Sequence, residues 1–145
     1  MSNLLLSFDV NEMAINTIHT TPTICLNMIV KNESRIITRL LDSVISIIDT
    51  YCICDTGSTD DTISIITNYF DKHQITGIII NEPFKNFGYN RSFALNIARE
   101  KSKADFLLLL DADMQLQIGP KFNKSKLRPK CAYQVMQKKS FHSIL

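Results

Sequence analysis

Apolar and polar positions in this chain fall into blocks with two different periods. Short apolar runs occupy residues 24–30, 51–54, 75–80 and 105–110, each short enough for a single strand. Between the first two, Ile36, Ile37, Leu40, Leu41, Val44, Ile45 and Ile48 recur at helical spacing, and Ser34, Arg35, Thr38, Arg39, Asp42 and Ser43 fill the opposite side. That pattern predicts an amphipathic helix, with Asn32 as its cap and Glu33 in its first turn. Ile63, Ile66, Tyr69 and Phe70 mark a second helix, capped by Ser58 or Thr59 and carrying Asp60 and Asp61 in its first turn. Asn81 to Tyr89 reads as a longer loop containing Pro83 and Gly88, and Phe93, Ala94, Ile97 and Ala98 mark a third helix with basic residues at its end.

Strands therefore begin near residues 24, 51, 75 and 105, a spacing of about 30 residues that suits a βαβ crossover. Four strands alternating with three helices predict a three-layer α/β/α domain with a mostly parallel sheet. The core domain is expected over residues 22–118. Residues 1–21 form an extension, either a loosely packed helix or a cover for a sheet edge, and residues 119–145 form a tail. In that tail Gly119-Pro120 is a turn, Lys121 to Lys130 reads as a basic loop, and Ala132 to Gln137 fits one more strand.

The last apolar run is followed at once by Asp111, Ala112 and Asp113. The run is too short for a membrane span, which needs about 20 residues. It suits a strand buried on both faces. Ligands of open α/β sheets sit beyond the carboxyl ends of the strands, so the two carboxylates would stand at a binding edge. Their mutual repulsion is relieved by a hard divalent cation, Mg2+ or Mn2+, whose open positions suit a diphosphate. The same edge would collect Lys31, Asn32 and Glu33 after the first strand, Asp55, Thr56, Gly57 and Ser58 after the second, and Asn81 and Glu82 after the third. Asp55 could accept a hydrogen bond from a base or ribose, Gly57 permits a tight turn beside a ligand, and Arg91 could face a phosphate.

Composition changes this picture little. Hydrophobic residues make up 45% and charged residues 21%, as in an ordinary globular domain, and a formal net charge of +2 singles out no nucleic-acid partner. Cys25, Cys52, Cys54 and Cys131 lack the spacing of a zinc set and read as buried thiols in a reducing compartment. No secretory signal or membrane span is evident, so a cytoplasmic location is expected. The dinucleotide pattern GxGxxG, the P-loop GxxxxGK[ST] and a serine nucleophile elbow are all missing.

Four stretches in order resemble family-2 glycosyltransferases of the GT-A fold: Ile24 to Glu33, Asp55 to Thr62, Arg91 with Phe93-Ala94-Leu95-Asn96, and Leu109 to Asp113. The resemblance covers residues 22–118. It implies a metal-dependent transfer of a sugar from a nucleotide-diphosphate sugar, UDP-linked in many members, to an acceptor hydroxyl, with inversion. By that likeness Val30, Asn32, Glu33, Asp55 and Gly57 line the nucleoside, Arg91 lies by the pyrophosphate or sugar, Asp111 by the ribose, sugar or metal, and Asp113 binds the Mn2+ or Mg2+. Thr56 stands where many members carry a second aspartate, and no Asp or Glu follows Asp113. The expectation is accordingly a truncated, donor-binding half, with its catalytic base beyond Leu145, an unassigned acceptor, and an exposed sheet edge open to homo-oligomer formation. Two rival readings are a nucleotide-sugar-binding module without transfer and a haloacid-dehalogenase-type phosphohydrolase, which also places Asp-x-Asp after an apolar strand.

Overall fold

The structure is a computed structural model, and it describes residues 20–136. The expectations for residues 1–19, and Gln137 at the end of the expected last strand, lie outside the described residues. Four strands, β1 (Ile24–Val30), β2 (Thr50–Asp55), β3 (Gly77–Asn81) and β4 (Phe106–Leu109), form one parallel sheet in the order β3-β2-β1-β4. Helices α1 (Ile37–Val44), α2 (Thr62–Lys72) and α3 (Phe87–Lys101) connect them in turn.

Side-chain alternation along the strands builds the layers. Leu26, Met28 and Val30 of β1, Tyr51 and Ile53 of β2, and Phe106 and Leu108 of β4 join Ile37, Leu40, Leu41 and Val44 of α1 and Ile66 and Phe70 of α2 in the main core. On the other face Cys25, Cys52 and Leu107 meet Ala98 of α3. The three-layer parallel architecture expected from the sequence is therefore present. Within the main core the Tyr51 and Phe70 rings stack with centroids 4.0 Å apart. Gly77 lies against this stack, and a Cβ there would collide with the Tyr51 carbonyl oxygen and ring.

The chain steps outward from β1 to β2 to β3, then returns through α3 to place β4 on the other side of β1. Because parallel crossovers are right-handed, reversing the direction of travel moves the helix to the opposite face. Asn27 ties the resulting layers together. It is buried, and its Nδ2 donates to the Cys52 carbonyl at 2.9 Å and to the Ala94 carbonyl of α3 at 3.1 Å.

Several local expectations need correction. The first helix starts at Ile37 rather than after Asn32, because Asn32 adopts a left-handed conformation (φ 54°) and turns its side chain to the neighbouring loop. The helix ends at Val44, short of Ile48, since the chain must turn there to enter β2. The second helix starts at Thr62 with Asp61 as its N-cap residue, and the turn before it is held by the Asp60 carboxylate, which accepts from the Thr62 amide at 3.0 Å. The third helix takes in Gly88 and Tyr89, because Asn86 caps it by accepting from the Tyr89 amide at 2.9 Å. Strand β4 is not buried on both faces: it pairs only with β1 among the described residues, and Leu109 is 56% exposed. Residues 132–136 form no strand, and Cys131 is exposed while the other three cysteines are buried and free. Lys124–Lys126 forms a short 3-10 turn within the expected basic loop, pinned by a Lys124–Asp49 ion pair. No helix among the described residues is long and apolar enough to cross a membrane.

Asn27→Ala is expected to lower the unfolding free energy by about 1–3 kcal/mol, because the bridge between sheet and α3 is lost and buried carbonyls lose a partner. Urea unfolding measures this, and an unchanged midpoint would show that the bridge carries no stability.

Candidate functional site

The reversal of strand order falls between β1 and β4. At such a switch point a crevice opens at the carboxyl ends of the strands. Two clefts occupy that position. The larger, about 620 Å³, is lined by residues that include Val30, Lys31, Glu33, Thr56, Arg91 and Asp113. The smaller, about 350 Å³, runs between β1, β4 and α3 past Asn27, Ala94, Leu95, Leu109 and Met114. Arg91, Asp111 and Ile29 line both, so they form the wall between them.

The loop after β1 and the loop after β2 are fastened to each other. Asn32 donates its backbone N–H to Ser58 Oγ at 3.0 Å, and its Oδ1 accepts from the Thr59 amide at 2.7 Å. The Glu33 amide donates to Thr62 Oγ1 at 2.7 Å, and the Ser34 amide donates to the Asp60 carboxylate at 3.2 Å. Thr56 donates both its amide and its hydroxyl to the Val30 carbonyl. The Thr62 and Ser34 hydrogen bonds hold the Asp60 carboxyl well below the ordinary carboxylate range.

Asp55 is buried at the end of β2, and its carboxylate is already engaged. It accepts from the Ser58 hydroxyl at 2.6 Å and from the amides of Ser58 and Gly57. The turn closes because Gly57 adopts φ +110°, a region that side chains disfavour. Asp55 thus shapes the loop from below, while Thr56 presents itself to the larger cleft.

The Asp-Ala-Asp element forms a turn in which the Met114 amide donates to the Asp111 carbonyl at 3.0 Å. Ala112 is buried and fixes the turn to the main core, and Asp113 is exposed. The Asp113 carbonyl accepts from Arg39 Nη2 at 3.1 Å, which leaves the carboxylate apart from that contact. Asp111 is occupied differently: both its oxygens lie 2.6 Å from Arg91 Nη2. Burial first, then the Asp113 and Asp60 carboxylates, push the Glu33 carboxyl above its ordinary value of 4.5.

A divalent cation implied by these carboxylates can be tested against the donor set. No group of three or more His, Cys, Asp or Glu that could hold a metal exists among the described residues. Mg2+ and Mn2+ need no such cage, since one or two carboxylates with phosphate oxygens and waters complete their shell. Asp113 fits as the protein's ligand; Asp111 fits only after Arg91 leaves it.

The family whose sequence model matches this chain is Glycosyl transferase family 2, over residues 25–122. The chain belongs to that family. It is 35% identical over 107 residues to the SPbeta prophage-derived glycosyltransferase SunS of Bacillus subtilis, covering 74% of this chain and 23% of SunS. It is 33% identical over 89 residues to an uncharacterized glycosyltransferase of Rickettsia felis, covering 61% of this chain and 28% of that protein. This chain thus spans about a quarter of the length of the curated relatives it matches. Two solved structures share the fold. The mannosyltransferase PcManGT of Pyrobaculum calidifontis, captured with GDP-Man and Mn2+, gives a TM-score of 0.55 at 20% identity, over 66% of this chain and 29% of that one. S. aureus TarS residues 1–349, captured with UDP, gives 0.50 at 24% identity, over 63% and 27%. The expected GT-A architecture is that of these neighbours, and nothing found supports the phosphohydrolase reading.

Sequence reasoning passed over four features of this region. Asn27 was visible as the one polar residue inside the run 24–30, and Asn86 as a cap-type residue before α3. Asn90 is fully buried and holds the loop before α3, accepting from the Lys85 amide and donating to the Glu82 and Pro83 carbonyls. Phe84 and Phe87 meet edge to face with centroids 5.3 Å apart and line the larger cleft. Phe87 is 67% exposed and sits one helical turn before Arg91.

The Glu33 shift has a definite sign. Its folded-state carboxyl holds a proton more tightly than the unfolded one, so its contribution to stability falls as pH rises through and above 4.5. Glu33→Gln is expected to be more stable than the native chain near neutral pH and equal to it below about pH 4, where both side chains are uncharged. Urea titrations across that range check this, and a pH-independent offset would contradict it.

Proposed function

We propose that this chain supplies the donor site of a glycosyltransferase that takes a sugar from a nucleotide-diphosphate sugar and passes it to an acceptor hydroxyl. The observation that carries the reading is the larger cleft at the β1–β4 switch, where Lys31, Arg91, Glu33, Thr56 and Asp113 converge. Val30 to Glu33 and the Asp55–Gly57 turn would bound the nucleoside, with Asp55 acting through the shape of its turn and Thr56 offering an acceptor oxygen. Arg91 would bind the diphosphate with its planar fork. Phe87, one turn away, would cover the apolar face of a bound ring. Asp113 would hold Mn2+ or Mg2+, which when bound neutralises the charge that builds on the leaving diphosphate.

The donor is taken to be UDP-linked and the displacement inverting, with the acceptor oxygen attacking as the diphosphate departs. UDP, GDP-mannose and Mn2+ are the ligands captured by fold neighbours, which makes them the first to try. Native chain is expected to bind UDP or GDP more tightly with Mn2+ than in EDTA, and Asp113→Ala to lose that difference. Calorimetry giving one affinity in both buffers would remove the metal role.

For the 145-residue chain taken by itself, which spans about a quarter of its relatives' length, a second reading is donor binding without transfer, since residues 114–145 hold no Asp or Glu. A positioned general base contributes about 10²–10⁴-fold to such a displacement. On this reading the 145-residue chain binds the nucleotide sugar and transfers nothing to a broad acceptor panel. A radiolabelled transfer assay beside a hydrolysis control separates the two. Robust transfer that depends on Asp113 would discard the second reading.

A further inference from the structure

We propose that the Arg91–Asp111 ion pair is a self-blocking latch on the donor site: an entering diphosphate takes Arg91 from Asp111, and the exchange opens the wall between the two clefts. The inference rests on the donor-site reading above and adds a control on it.

The geometry places the pair across the site rather than beside it. Both Asp111 oxygens lie 2.6 Å from Arg91 Nη2, and both residues line both clefts. Neither partner is sealed from solvent: the side chains are 55% and 34% exposed, so a soluble anion can reach the guanidinium. The supports of the pair are rigid. Arg91 projects from α3 next to Asn90, which is buried and bonded three times to the preceding loop. Asp111 lies two residues past the end of β4 and is held by the turn around buried Ala112. Exchange therefore needs side-chain rotation only, with the helix and strand staying in place.

Charge gives the latch its consequence. The larger cleft is lined by two cationic side chains, Lys31 and Arg91, against three acidic ones, Glu33, Asp111 and Asp113. With Arg91 neutralised by Asp111, the uncompensated groups are Lys31 against two carboxylates, a surface that repels a diphosphate. With Arg91 turned to the ligand, its fork matches phosphate oxygens better than the single nitrogen it offers Asp111. Asp111 is then released with free lone pairs, available to a hydroxyl of the transferred sugar, a group that UDP lacks. The exchange also removes the contact that separates the smaller, mostly apolar cleft from the larger one.

This reasoning makes an inverted forecast for Asp111. If the residue were simply a ligand contact, replacing it would weaken binding. As the restraint on Arg91, its replacement strengthens binding. The test is calorimetry of UDP in EDTA buffer, with native chain, Asp111→Asn, Arg91→Ala and the double variant. Asp111→Asn is expected to bind UDP about three- to tenfold more tightly than native. In the Arg91→Ala background the same substitution is expected to change nothing, which a general relief of negative charge would not produce. Asp111→Ser repeats the measurement should the Asn variant lose its native circular dichroism. Weaker or unchanged binding by Asp111→Asn overturns the latch, as does a gain that persists in full without Arg91. UDP binding by native chain alongside either result leaves the donor-site reading standing. No UDP binding by any of the four proteins, with or without Mn2+, overturns both.

Discussion

The handedness of parallel crossovers is the constraint from which the site follows. A right-twisted sheet accepts right-handed connections, so a chain that reverses direction across the sheet must change the face on which its helices lie. Here the reversal comes once, when α3 crosses back over β2 and β1 to deliver β4. The loop after β1 leads into α1, the segment after β4 packs on that same face through Ala112 and the Arg39–Asp113 contact, and α3 lies on the other face, so the two clefts open between that segment and α3. Asn27 makes this arrangement cohere. A polar side chain in the middle of a buried strand is costly unless satisfied, and its amide is satisfied by one carbonyl from the sheet and one from α3. The bond that stabilises the interior also fixes how far α3, and so Arg91, stands from β1.

Much of this was legible in the sequence because two strong periodicities carry it. The runs at 24–30, 51–54, 75–80 and 105–110 are mostly apolar, Asn27 being the buried exception in the first, and the stripe from Ile36 to Val44 leaves no other reading for α1. The polar residues that end those strands also gathered where parallel strands must put them. What was illegible depended on partners distant in sequence. Asn32 and Glu33 carry local signals for a helix cap, yet the Ser58–Thr62 segment, 26 to 29 residues on, competes for the same backbone groups and wins. The engagement of Asp55 with Ser58 is a matter of backbone dihedrals, set by Gly57, which composition alone does not reveal. The pairing of Arg91 with Asp111 likewise needed the return of α3 to be known before the two could be seen as neighbours.

The acidic groups of the site divide into those that build and those that remain reactive. Asp55 and Asp60 spend their oxygens on backbone amides and hydroxyls, and act as cross-braces. Glu33, Asp111 and Asp113 face the clefts. Only Asp111 among these three has a cation against its carboxylate, and the elevated proton affinity of Glu33 records first its burial and then the neighbouring Asp113 and Asp60 charges. A negatively charged cleft is an unfavourable place for a diphosphate, and it becomes favourable only when positive charge is brought in or released within it.

The fastening of the β1 and β2 loops bears on how such a site can change over generations. Asn32 fits because Ser58 and Thr59 receive it, and Glu33 and Ser34 keep their course because Thr62 and Asp60 hold their amides. A substitution in either loop alone strands its opposite number. Drift at these positions must therefore proceed by matched steps, and the natural unit of inheritance, or of exchange by an engineer, is the two loops together.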